Sequence, residues 1–147
     1  MTGEKNKLSK TAVVFAIITS ICHILFFAAE SILWMEPSVH QSILSSSEQF
    51  QVEIFTQAKI METVFFNQGF YNLFLAIGLF FGLGLYYKGY REMGVTLISY
   101  ICLFCLGAAL VLVFSTGAIA GAIVQGFPPL VVTIYVSHNL LSMNKQE

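Results

Sequence analysis

From Thr11 to Ala29 the chain carries no formal charge, and the apolar run continues past Glu30 to Met35. A run of about 25 residues is long enough to cross a bilayer as a tilted helix. Residues 36–62 break the pattern with Pro37 and the Ser45-Ser46-Ser47 triplet, after which Phe50, Val52, Ile54, Phe55, Ala58 and Met61 alternate with polar neighbours. This region is expected to form a loop outside the membrane whose second half makes a short interfacial helix. A second uncharged run reaches from Thr63 to Tyr87, where the tyrosine pair and Lys88 mark an interface. No Lys, Arg, Asp or Glu occurs from Met93 to Asn144, too long a stretch for one crossing. The small polar residues Ser115-Thr116-Gly117 place the turn within it. The pattern predicts spans at Thr11–Met35, Thr63–Tyr87, Met93–Phe114 and Ala118–Val136.

Composition agrees with that reading. Of the 147 residues, 56% are apolar and only 10% charged, against about 25% charged in a soluble domain. The expected fold is an all-α integral membrane bundle of four helices in a single domain. A net charge of -1 without a basic run gives no footprint for nucleic acid. The first run is too long for a signal-peptide core and lacks a small-residue cleavage site, so it is expected to stay as a span. Lys5, Lys7 and Lys10 precede span one, Lys88 and Arg91 separate spans two and three, and Lys145 follows span four, while the first loop has only Lys59. By the positive-inside rule both termini are expected on the cytoplasmic side of a cell membrane, with membrane lipids as the expected partners.

The chemistry must come from the polar residues inside the spans. On span one His23 and Glu30 are seven residues apart, two helical turns, and share a face with Phe27 and Trp34. Span two carries Asn67, Gln68, Tyr71 and Asn72, with Gln68/Asn72 and Asn67/Tyr71 as i, i+4 pairs. Span four carries Gln125, followed by Pro128 and Pro129. Measured from Trp34, Glu62 and Gly117 at about 1.5 Å per residue, Glu30 lies roughly 6 Å deep, Gln68 roughly 9, Gln125 roughly 12, Asn72 roughly 15 and His23 roughly 16 Å. All fall in the outer half of a core about 30 Å thick, and a bundle can turn them into one pocket. The two prolines lack amide hydrogens, so the carbonyls of Val124 and Gln125 lose their donors and span four is expected to kink there. Gly117, Gly121 and Gln125 lie on one stripe with Ala118, Ala122 and Gly126 beside it, and these small residues permit a homo-oligomer and equally permit tight packing within one chain.

Each group has a structural alternative. Glu30 is either the functional acid of the pocket or a protonated carboxyl serving as interhelical glue to Gln68 or Gln125. His23 is either a hydrogen-bonded core histidine or a participant in proton or ligand chemistry, too far along the helix from Glu30 to touch it without a bridge. Asn67, Gln68 and Asn72 divide between packing glue and ligand contact. Cys102 and Cys105 have CxxC spacing, but no further cysteines to relay electrons and no matched second pair for zinc, so they read as small apolar packing. No cofactor or metal is implied.

The blocks His23 to Pro37 with Glu30-Ser31-Ile32-Leu33-Trp34, Asn67-Gln68-Gly69-Phe70-Tyr71-Asn72 followed by Leu75-Ala76-Ile77-Gly78-Leu79, and Gln125-Gly126-Phe127-Pro128-Pro129-Leu130 resemble a bacterial membrane-protein family known as domain of unknown function 1304. The resemblance implies a four-helix integral membrane protein and brings no substrate or reaction with it. The serine-rich first loop and the basic N-terminal extension depart from its pattern. The expected function is binding or transport of a lipid head group or small amphiphilic or cationic molecule. The alternatives are a membrane enzyme using Glu30 and His23 as acid and base on a lipid-like substrate, and an assembly partner without a ligand.

Overall fold

The computed structural model describes residues 8–44 and 52–144, with side chains as far as residue 138. Among these the chain is entirely helical: α1 (Lys10–Phe27), continued by a π-helical turn (Ala28–Ile32), then α2 (Pro37–Leu44), α3 (Ile54–Tyr87), α4 (Arg91–Thr116) and α5 (Ile119–Asn144). Four of the helical segments, Lys10–Ile32, Ile54–Tyr87, Arg91–Thr116 and Ile119–His138, are long and apolar enough to cross a membrane. They pack in the cyclic order α1, α3, α4, α5, so that α1 and α4 face each other across the diagonal.

Local chemistry sets the ends. Ser9 caps α1 by accepting the Ala12 amide at 3.0 Å, supplying one of the helix's orphan donors with a partner. The α3–α4 connection turns at Gly89 and the α4–α5 connection at Gly117, both with positive φ (97° and 69°), where a side chain would be strained. Gly117 donates its amide to Val113 O at 2.9 Å and ends α4 at the position expected from the small polar triplet. Connections this short force neighbouring helices to run antiparallel.

Small residues let the helices close on one another. The central core is built from Ala12 and Ala16 of α1, Leu79 and Leu83 of α3, Ile98, Cys102 and Cys105 of α4, and Val132 of α5. Gly82 and Gly94 bring the backbones of α3 and α4 together so closely that a Cβ on Gly94 would lie 2.6 Å from Gly82 O and 2.7 Å from Tyr86 N.

Two sequence expectations need correction. Residues 36–62 do not form a loop with one late interfacial helix. Pro37 opens α2 rather than breaking a helix, because its missing amide costs nothing in a first turn. The apolar positions around Ile54 begin α3 itself, nine residues ahead of the expected Thr63. At 34 residues α3 is about 51 Å long, some 20 Å more than a hydrocarbon core of about 30 Å. The excess carries a second small core in which Trp34, Leu44 and Ala58 are buried. The Ser45-Ser46-Ser47 triplet, Phe50, Lys5, Lys7 and Lys145 lie outside the described residues. Span one also fails to continue as α-helix to Met35, since Leu33 bonds to Ala28 O, five residues back, at 2.9 Å. That wider turn shifts the register, and Trp34 leaves the stripe of His23 and Glu30. Its indole N–H instead donates to Ala58 O at 2.8 Å, and its ring stacks on Phe65 at 3.7 Å.

Candidate functional site

An amphipathic stripe needs only periodicity, but a polar group turned into the centre of an apolar bundle needs a hydrogen-bond partner. Four side chains on three spans meet that need together. Asn72 of α3, buried, donates through Nδ2 to Glu30 Oε2 at 2.7 Å and to the Gln68 carbonyl at 3.3 Å. Its Oδ1 therefore faces His23, so His23 Nδ1 carries the hydrogen and donates to it at 2.7 Å. In a neutral imidazole the opposite ring nitrogen, Nε2, is an acceptor, and the Cys105 thiol of α4, 3.1 Å away, then donates to it. The result is one directional chain, Cys105 to His23 to Asn72 to Glu30, in which every donor points toward the carboxyl group. His23 and Cys105 are fully buried, whereas Glu30 is half-buried.

The backbone positions this chain by three devices. His23 reaches across the diagonal because α1 is narrow there, with the hydroxyls of Thr19 and Ser20 folded back onto Phe15 O (2.8 Å) and Ala16 O (2.9 Å). The π turn brings Glu30 over Asn72, and such turns recur at functional sites. Ser31 fixes the turn against α3 by donating to Phe66 O at 2.7 Å, directly over Gly69, where a Cβ would lie only 2.1 Å from Ser31 Oγ. Aromatic rings flank the same seam: Phe27 meets Phe70 edge to face at 5.2 Å, Phe70 meets Phe66 at 5.0 Å, and Phe26 lies against His23 at 5.8 Å.

Of the residues expected to share the pocket, the structure joins His23, Glu30 and Asn72. Gln68 contributes only its backbone carbonyl, and its side chain, like those of Asn67 and Tyr71, is exposed. Gln125 is half-buried on α5 and shares no hydrogen bond with the other three. Pro128 and Pro129 are buried within a continuous α5, and Thr133 turns its hydroxyl to Pro129 O at 2.9 Å. Trp34 belongs to the outer core. His23 and Glu30 do require a bridge, and it is Asn72 rather than a ligand. Cys105, read from sequence as apolar packing, is a member of the chain; the CxxC spacing made it visible, but nothing in a linear sequence shows a histidine on a distant helix. No cluster of three His, Cys, Asp or Glu side chains suited to a metal ion occurs among the described residues.

The model of a family described as a protein of unknown function, DUF1304, matches residues 17–137, most of the chain and all four members of the hydrogen-bond chain. The chain belongs to this family. No curated protein and no solved structure matches it. The matched segment of the DUF1304 chain starts after Lys5, Lys7 and Lys10, so the basic N-terminal stretch lies outside it.

Proposed function

We propose that this DUF1304 protein is a membrane-embedded binding protein or small transporter that receives an amphiphile, such as a lipid head group or a small cationic molecule, at Glu30. One observation carries the reading. Glu30 ends a buried chain of donors, is held on Oε2 by Asn72, is partly open, and has no Lys or Arg within 4 Å among the described residues. A carboxyl group at that depth, fixed in position and lacking a counter-charge, is suited to a ligand that brings a positive charge or a hydroxyl donor. In this reading the protein lies in the plasma membrane with both termini cytoplasmic, and Glu30 faces the outer leaflet. In detergent, Glu30→Gln should abolish the thermal stabilisation that a panel of lipids and amphiphiles confers on the wild type, with helical circular dichroism unchanged. A wild type that no member of the panel stabilises would remove the proposal.

The Cys105–His23 contact favours a second reading, an enzyme acting on a lipid-like substrate. A thiol beside a base that is itself oriented by an amide is the arrangement of covalent acyl transfer. The complete burial of Cys105 ranks it below binding, because a nucleophile must meet its substrate. Lipid extracts from cells with and without the protein separate the two by mass spectrometry: an enzyme changes the identities of the products, and a binder leaves them the same.

A further inference from the structure

Charge neutrality inside the membrane narrows the ligand class. An ionised carboxylate in hydrocarbon is costly unless a cation accompanies it, and the only neutral alternative is a proton on the carboxyl group itself. Among the described residues no side chain supplies the cation. The π turn packs against α1 and α3. From α1 the titratable group linked to Glu30 is His23, through Asn72, and its two ring nitrogens are engaged by Asn72 at 2.7 Å and by Cys105 at 3.1 Å rather than by Glu30. On α3 there is no acid or base other than tyrosine between Glu62 and Lys88, and Lys59 is held by Glu62 at 2.7 Å.

The surroundings exclude a hard metal ion. Such a cation takes six or more oxygen ligands, whereas Glu30 has a single carboxyl group and no metal-binding cluster around it among the described residues. The seam between α1 and α3 on which the π turn sits carries rings. Phe26 and Phe27 precede it by one turn on α1, and Phe66, whose carbonyl holds Ser31, and Phe70 line the α3 side of the seam. Phe66 is half exposed, so the seam opens to the bilayer. Aromatic faces attract weakly hydrated organic cations, and more strongly where water is excluded.

Resting on the binding reading above, we infer that Glu30 is an exchange site at which one lipophilic organic cation, a quaternary ammonium or phosphonium with apolar substituents, replaces one proton. The carboxyl O–H bond breaks, its proton leaves to water, and the cation's charge takes its place, so the site stays neutral in both states.

Tetraphenylphosphonium binding to the purified full chain in dodecylmaltoside tests the exchange. Calorimetry in two buffers of different ionisation enthalpy should give one proton released per cation bound. Affinity should fall tenfold for each unit of pH lowered while the empty site holds its proton. Glu30→Gln should lose both binding and release, whereas Glu30→Asp, which keeps the carboxyl group, should retain release with weaker binding. Binding without proton release, or binding undiminished in Glu30→Gln, overturns the inference. Stabilisation by a neutral amphiphile such as monoolein without tetraphenylphosphonium binding overturns it too, but leaves the binding reading standing. If neither ligand class stabilises the wild type, both fall.

Discussion

Asn72→Leu should destabilise this protein more than any other polar substitution in the bundle. The amide joins α1, the π turn and α3 by two hydrogen bonds of 2.7 Å, and leucine fills nearly the same volume without replacing either. His23 Nδ1–H is then left without a partner in a buried site, and the Glu30 carboxyl loses the hydrogen bond from Asn72. An unsatisfied buried group costs about 1–3 kcal/mol, so the pair should cost roughly 2–6 kcal/mol. Interhelical hydrogen bonds in membranes tend toward the lower part of such ranges, which places the loss nearer the smaller figure. Reversible unfolding in mixed micelles measures it. His23→Leu in the Asn72→Leu background is the decisive comparison: removing the stranded donor should recover part of the lost stability. A double variant no better than the single one would show that the buried hydrogen bond to His23 contributes little.

Gly94→Ala should act at the opposite end of the molecule and by a different force. The added methyl group meets Gly82 O and Tyr86 N, and backbone atoms inside a helix cannot rotate away as a side-chain tip can. Helices α3 and α4 must separate there, with an overpacking cost of about 1–3 kcal/mol and a loosening of the core to which Leu83 and Val95 belong. The same change at Gly107, where a Cβ meets nothing within 4 Å, should be neutral or slightly stabilising through helix propensity. A differential scan of the two variants in one detergent gives the contrast directly. Equal melting temperatures would show that the α3–α4 approach is looser than the structure has it.

The bundle was legible because hydrocarbon imposes one rule: every backbone group must be bonded within its own helix, so uninterrupted apolar runs become spans. The turn at Gly117 was legible for a similar reason, since only a residue tolerant of positive φ ends a helix cleanly between two such runs. What fails is the polar edge of a span. Ile54 to Glu62 has the mixed composition of an interfacial loop, yet it extends α3 because Ala58 and Met61 find Trp34 and Phe65 to pack against. Long-range packing of that kind leaves no local mark. Within the site, depth arithmetic sets His23 and Asn72 at one height but leaves Glu30 roughly 9 Å above Asn72, whereas the two are in hydrogen-bond contact at 2.7 Å, and height is in any case one coordinate of three. Gln68 and Gln125 satisfy it while pointing elsewhere or standing alone. The π turn decides the remaining direction for Glu30, and a single extra residue in one turn has no sequence signature in Ala28-Ala29-Glu30-Ser31-Ile32.

The chain contains one tryptophan, and its position gives the molecule an optical signal of its own. Trp34 follows the π turn by two residues, stacks on Phe65 with an interplanar angle of 11°, and is held by Ala58 O through its indole N–H. Its emission therefore has a single source, set by the clamp between the turn that presents Glu30 and the outer part of α3. A molecule arriving at Glu30 that shifts this turn must change the stacking, the indole hydrogen bond or both. The resulting change in wavelength or intensity can be followed in unlabelled protein, in a bilayer and on the timescale of mixing.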